Sequence, residues 1–440
     1  MEYLEQGYNW RYYTSIIIFL LAYAFIISEK MNRALIALLG AGIIVGIGAV
    51  DMHSALTTHI EWETITLLIG MMIIVYITSK SGLFEYIAIK TAKLSKGQPI
   101  LILISLSLLT AICSAFLDNV TTILLIVPIT LSITKIIKVD PRPFLILEVI
   151  YSNIGGTATL IGDPPNIMIG SANKHLTFNS FFINLAPIIG IIVVATTIII
   201  YFIYRKRLKT TSDQIKILMS INEKDYIKDK RLLIKSLIVL GITLLGFILH
   251  SILHLDAALV AILGATILMI IGVKEHDLED VFANIEWVTI FFFAGLFVLV
   301  GGLVDIGLIG SLAKKVLELT NGNLHVAAPL ILWVSGIASA TIDNIPFVAT
   351  MIPLIQDLAV GMGLSPDAPQ IEVLWWSLAL GACLGGNGTL IGASANVVAA
   401  GIASREGHKF GYWDFLKIGL PITLFSLALS NIYLYVKFLM

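Results

Sequence analysis

The stretch GGTATLIGDPPN, Gly155 to Asn166, returns as GGNGTLIGASAN, Gly385 to Asn396, 230 residues later. Each copy lies inside an apolar run, 143 to 173 and 372 to 402, long enough to cross a bilayer core, for which about 20 residues suffice. Glycine and proline at this density cannot continue a regular helix, so both runs are expected to be broken helices. A break at membrane depth is tolerated only where protein buries it or where it lines a cavity. Its half-helix N-termini attract electron-rich oxygens, and its freed carbonyls can coordinate a cation. The candidate ligands are therefore Asn153, Gly155, Gly156, Thr157, Thr159, Asp163 and Asn166 in one copy, and Gly386, Asn387, Thr389, Ser394 and Asn396 in the other. No soluble strand precedes the glycines, which removes a dinucleotide-binding reading.

Outward from this motif the duplication continues. ALIALLGA at Ala34 to Ala41 recurs as ALVAILGA at Ala258 to Ala265, Ile60-Glu61-Trp62 as Ile285-Glu286-Trp287, Asp118-Asn119 as Asp343-Asn344, and Pro128 as Pro353. Composition agrees with a membrane setting: of 440 residues 58% are hydrophobic and 13% charged, about half the charged share of a soluble domain. Apolar crossings are expected at 12 to 28, 34 to 50, 64 to 79, 143 to 173, 181 to 204, 235 to 251, 256 to 273, 288 to 304, 372 to 402 and 412 to 436. The N-terminal segment carries Glu2 and Glu5 in place of a basic n-region, so the first crossing reads as retained and not as a cleaved signal. The fold class is thus an all-α polytopic membrane protein of about 10 full spans with two further apolar stretches, 99 to 137 and 324 to 358.

Placing the basic loops 28 to 33, 80 to 98, 135 to 142, 205 to 235, 274 to 287 and 403 to 417 in the cytoplasm collects 23 of the 28 Lys and Arg. In that orientation span 64 to 79 runs inward and its counterpart 288 to 304 outward. The halves are inverted repeats, 1 to 204 and 235 to 440, joined by a basic linker 205 to 234. Inverted halves that exchange shape about one midplane site are a transporter architecture. The linker reads as a solvated loop, and Phe84 to Leu94 as an interfacial segment.

Stretches 99 to 137 and 324 to 358 are each interrupted by a polar patch, Ser114 to Asn119 and Ser339 to Asn344, and either pairs of spans or re-entrant hairpins would satisfy the topology. An ionised Asp at bilayer depth costs at least about 2.5 to 3.5 kcal/mol. Asp118 and Asp343 therefore need a cation, a proton or donor groups, if they do not simply cap a buried helix start. With Ser114, Asn119, Thr122, Ser339 and Asn344 they complete the candidate site, in which Asp118, Asn119, Asp343 and Asn344 are the candidate sodium ligands. No deep Arg or Lys is expected beside these acids. Glu148 reads either as a proton relay inside a span or as a snorkelled residue near its cytoplasmic end. Cys113 and Cys383 read as small apolar fillers, and the eight His show no ligand spacing.

A net charge of -1 gives no case for nucleic-acid binding. Neither a nucleophile with a base nor a nucleotide loop is present, which argues against an enzyme, and no organic cofactor is implied. An ATPase would have to come from a separate partner subunit. SNIGGTATLIGDPPN at Ser152 to Asn166, FLDN at Phe116 to Asn119 and their second copies resemble the ion transporter superfamily. Within it they are most similar to the arsenite permease and sodium/proton antiporter group, especially the P protein branch, with the related citrate transporters beside it. That resemblance implies two inverted repeats, each with a re-entrant hairpin and a broken helix, usually in a homodimer whose transport domain moves as an elevator. It implies a multi-pass plasma-membrane protein among lipids, moving a small ion or oxyanion with coupled protons or sodium. Sodium/proton antiport and sodium-coupled dicarboxylate or citrate transport are the alternatives. On the same resemblance 99 to 137 and 324 to 358 become hairpins with tips at Ser114 to Thr122 and Ser339 to Ile345.

Overall fold

The structure is a computed structural model that describes residues 10–28, 30–253 and 255–440. Glu2 and Glu5, on which the reading of a retained first segment rests, lie outside the described residues. Among the described residues all regular elements are helical. Leaving aside helices of one or two turns and those of the linker, the first half runs α1 (Trp10–Ser28), α2 (Arg33–Gly46), α3 (Trp62–Lys80), α4 (Leu83–Leu94), α5 (Pro99–Phe116), α6 (Asn119–Ile137), α7 (Arg142–Gly156), α8 (Pro164–Ala172) and α9 (Phe178–Tyr204). The second half repeats this order as α10 (Lys230–Leu253), α11 (Ala257–Gly272), α12 (Trp287–Asp305), α13 (Leu308–Thr320), α14 (Leu324–Thr341), α15 (Asn344–Gly361), α16 (Glu372–Gly385), α17 (Ser394–Arg405) and α18 (Tyr412–Leu434).

Local chemistry sets matching boundaries in the two halves. α4 and α13 each follow a glycine in the left-handed region, Gly82 at φ +83° and Gly307 at φ +78°, where a side chain would be strained. α6 and α15 each follow an aspartate whose carboxylate accepts from the first turn. α7 and α16 end at the paired glycines, and α8 restarts at Pro164-Pro165, where missing amide hydrogens cost nothing. The two expected broken helices are therefore present.

Ten helices among the described residues are long and apolar enough to cross a membrane. That set includes the hairpin arms α5, α6, α14 and α15 and omits the shorter α2 and α11 and the two broken helices. Length alone therefore does not identify the re-entrant pairs. Their tips do: Asn119 and Asn344, each the first residue of a second arm, both donate to Asp163, so the two hairpins end at one point.

Packing separates an outer and an inner body. In the outer one α3 lies on α11, α2 on α12, and α1 and α10 flank them. In the inner one α5 packs on α7 and α14 on α16, while α17 crosses to α6 and α7 and α15 crosses to α8. Close backbone approach holds this inner body together. A Cβ on Gly155 would stand 2.1 Å from the Ala111 carbonyl oxygen, and one on Gly385 2.5 Å from that of Gly336.

One of the two readings of Glu148 falls, and the reading of the linker needs correction. Glu148 is fully buried on α7, where the Thr130 hydroxyl donates to its Oε1 at 2.5 Å. It does not snorkel, because α6 covers it. The linker is not a free solvated loop: its helix Ser212–Ser220 lies against α6 and its turn Glu223–Tyr226 against α4. Lys93 Nζ donates to Glu223 at 2.6 Å and to the Ile221 carbonyl at 2.7 Å, which straps the linker to α4.

Candidate functional site

The inner body is built from repeated backbone clamps. Ser114 Oγ donates to the Ser152 carbonyl at 2.7 Å, and Ser339 Oγ to the Ala382 carbonyl at 2.6 Å. Thr159 reaches the Ala115 carbonyl and Thr389 the Ala340 carbonyl, each at 2.5 Å. Asn166 Nδ2 binds the carbonyls of Thr157 and Thr159, and Asn396 Nδ2 those of Gly386 and Thr389. These side chains satisfy carbonyls freed by each break, and each joins a hairpin to its broken helix or closes the break on itself.

Around these clamps lies a buried amide network. Asn153 Nδ2 donates to Asn387 Oδ1 at 2.9 Å and to Asn396 Oδ1 at 3.0 Å, crossing from one half to the other. Asn387 returns a bond to the Ile150 carbonyl. Thr157 folds back on the Asn153 carbonyl, and Gly156 packs against the Gly162 carbonyl. Asn119 Nδ2 donates to Asn153 Oδ1 at 3.0 Å and to Asp163 Oδ1 at 3.2 Å, and Asn344 Nδ2 reaches the same Asp163 oxygen at 3.4 Å.

Asp163 is fully buried, and it is the acid on which both hairpins converge. Among the described residues its Oδ2 has no hydrogen-bond partner, and neither has Asn119 Oδ1 or Thr122 Oγ1, both buried. Unpaired buried oxygens are costly, and a hard cation or a proton is the chemistry that satisfies them. Among the described residues no three His, Cys, Asp or Glu side chains cluster as a metal site.

The two tip acids are placed differently. Asp118 caps α6: its Oδ1 accepts from the Thr121 amide at 2.9 Å and its Oδ2 from the Thr121 hydroxyl. Asp343 accepts from the Ile345 amide at 3.1 Å and from Ser394 Oγ at 2.8 Å, and it is ion-paired to Arg33 at 2.9 Å. The expectation that no Arg or Lys stands beside the tip acids is therefore wrong for Asp343. Arg33 belongs to the loop 28 to 33 by sequence, but α2 begins there and delivers the guanidinium to the second tip.

Glu286, which precedes α12, also belongs to this neighbourhood. Burial first, and the Asp118 charge second, raise its carboxyl from the ordinary 4.5 to about 7. Its counterpart Glu61, before α3, is raised by burial and held back by Lys174. Sequence reasoning used both residues only as repeat markers. The signal it passed over was an acid kept beside Trp at the same place in both halves. Cys383 Sγ lies 3.5 Å from Asn166 Oδ1, a buried thiol within the network.

With this geometry in place, comparison with known proteins is direct. The sequence profile described as citrate transporter matches residues 23–381. The chain belongs to this citrate transporter family. It is similar to the 46 kDa membrane protein of Mycobacterium leprae, with 43% identity over 97% of this chain and 98% of the relative. It is also similar to an uncharacterized transporter of Mycobacterium tuberculosis, with 42% identity over 96% and 98%. The P protein of Mus musculus is 36% identical over 94% of this chain and 58% of its own length. In fold the chain is similar to the YdaH transporter of Alcanivorax borkumensis, with a TM-score of 0.61 at 13% identity covering 97% and 98% of the two chains. The MtrF protein of Neisseria gonorrhoeae follows at 0.55 and 12%, covering 100% and 97%. The protein is a multi-pass membrane transporter and not an enzyme.

Proposed function

We propose that this transporter moves a small ion or oxyanion in secondary active transport, coupled to protons or sodium, with Asp163 as the coupling carboxylate. One observation carries the reading: a fully buried acid whose Oδ1 accepts from Asn119 and Asn344, one from each hairpin, while its Oδ2 stays unpaired. An ionised carboxylate there resists movement through the bilayer. A proton, or a sodium ion shared with Asn119 Oδ1 and Thr122 Oγ1, neutralises it and lets the loaded inner body move.

The inner body of hairpins and broken helices is the moving part, and the outer body around α2, α3, α11 and α12 is the scaffold. Asp343 meets Arg33, and Asp118 acts on Glu286. Both partners lie in loops that the Lys and Arg bias assigns to the cytoplasm. The arrangement is accordingly cytoplasm-facing, and an elevator-type displacement toward the other side completes the cycle. Sodium/proton exchange without an anion is the second reading, favoured by the acids Asp118, Asp163 and Asp343 around one region.

Reconstitution in vesicles holding a pH-sensitive dye tests both. After a proton gradient is imposed, sodium, lithium, arsenite and citrate are added one at a time. Proton movement driven by arsenite or citrate supports the coupled permease, and collapse by sodium or lithium alone supports the exchanger. Silence with all four defeats both.

A further inference from the structure

Arg33 stands where the two bodies meet. It opens α2, which packs on α1 and α12 in the outer body. Its Nη1 donates to Asp343 Oδ2 at 2.9 Å and to Ser394 Oγ, both in the inner body. The guanidinium lies over Phe292 of α12, 4.8 Å from the ring centroid. A cation at the first residue of a helix opposes the helix dipole by about 0.3–1 kcal/mol. The side chain is therefore held by its acceptors and by the ring, and it joins the end of the second hairpin to the outer body.

The repeat shows what the other half has at this place. The first residue of α11, equivalent to Arg33, is Ala257, and the tip acid equivalent to Asp343 is Asp118. Asp118 is bound by Thr121 of its own helix, and Ala257 has no donor to offer it. Among the described residues a hairpin tip is ion-paired to the scaffold on one side of the inverted repeat only; on the other side the contact between the bodies is made by Lys174, after α8, with Glu63 and Asp256.

We propose that Arg33 is a one-sided clasp, a positioning residue that holds the second hairpin tip and Ser394 against the scaffold in the arrangement seen here and makes the two transport arrangements unequal in population. This rests on the alternating reading above. In an inverted repeat the opposite arrangement carries Asp118 toward Ala257 and Asp343 away from Arg33. Every cycle must then break this pair in one direction and reform it in the other, with no equivalent tip pair formed at Ala257.

The test measures the distance between spin labels on Met52→Cys of the outer body and Ser365→Cys of the inner body, both exposed, in lipid nanodiscs with Cys113→Ala. The expected result for Arg33→Ala is a fall of about tenfold in the ratio of the present distance to the alternative one, the scale of a charged hydrogen bond. Arg33→Lys restores part of the ratio. Adding Ala257→Arg to Arg33→Ala drives the population further toward the alternative distance, which a merely structural role for Arg33 does not produce. An unchanged ratio in Arg33→Ala, with a wild-type melting temperature, overturns the clasp. A single distance in every variant, also under imposed sodium and proton gradients, overturns the alternating reading itself.

Discussion

The two broken helices are the same device with different chemistry. Their clamps match bond for bond, Thr159 to Ala115 against Thr389 to Ala340 and Ser114 to Ser152 against Ser339 to Ala382. At the centre they diverge: Asp163 faces a counterpart Ala393, Asn153 a counterpart Cys383, and Pro164 a counterpart Ser394. The clamps occur twice because each half must satisfy its own freed carbonyls. The acid of the break occurs once, at the point where both hairpin tips meet. Duplication thus supplies the backbone frame, and departure from duplication supplies the charge.

The largest break in this comparison is Asp163→Asn. It removes the unpaired carboxylate while keeping a side chain for Asn119 and Asn344 to meet, and a fall of about 100-fold in coupled flux is expected in the dye-loaded vesicles. Retained flux would return the coupling role to the tip acids.

Next comes the frame. Gly155→Ala and Gly385→Ala each push a methyl group into a carbonyl of the neighbouring helix, so each should lower stability by about 1–3 kcal/mol or more. Melting in detergent measures this, with Gly190→Ala, which meets nothing within 4 Å, as the control. Equal losses confirm that the two clamps are equivalent, and a loss in one half only breaks the equivalence.

The tip acids should separate. Asparagine caps helices about as well as aspartate, so Asp118→Asn is expected to change stability by under about 0.5 kcal/mol. Asp343→Asn strands Arg33 and should cost about 1.5–3 kcal/mol. Similar values for the two by denaturation would remove the asymmetry between the tips.

Glu286 gives a pH test. A carboxyl raised from 4.5 to about 7 in the folded protein leaves folding unpenalised below the unfolded value and loses stability as pH rises through the folded one. Glu286→Gln is accordingly expected to raise the melting temperature at pH 8 and to leave it unchanged near pH 4.5. The smallest effect belongs to Cys383→Ala, which loses weak thiol contacts to Asn166 and Asp163. Initial rates within about twofold of wild type are expected, and a larger drop would make the second break a chemical partner and not only a frame.

Much of this was legible without coordinates. Glycine and proline inside an apolar run leave few alternatives to a broken helix, and a repeat of that motif with Asp-Asn at a matching distance gives the element order of both halves. Arg33 was not legible. It ends a basic loop with Lys30, where charge bias explains it fully, and only the meeting of α2 with the second tip gives it another role. Glu148 stayed open between two readings for a related reason: hydropathy places it near a span end, and whether it reaches water depends on α6, a neighbour in space. The linker is similar, since its polarity suits solvent while Lys93 and Gly82 bring it against α4.

The sequence by itself determined that the chain is a helical membrane protein with duplicated, opposed halves, because hydrocarbon demands internally bonded backbone and the repeated breaks are covalent facts. Tertiary structure alone decided which acid lies at the centre. Asp118, Asp163 and Asp343 are similar in sequence context, each at the start of a helix in an apolar run. Asp118 and Asp343 each accept from the first turn of their own helix and serve as caps, whereas Asp163 accepts from Asn119 and Asn344 of two other helices and keeps one oxygen unpaired.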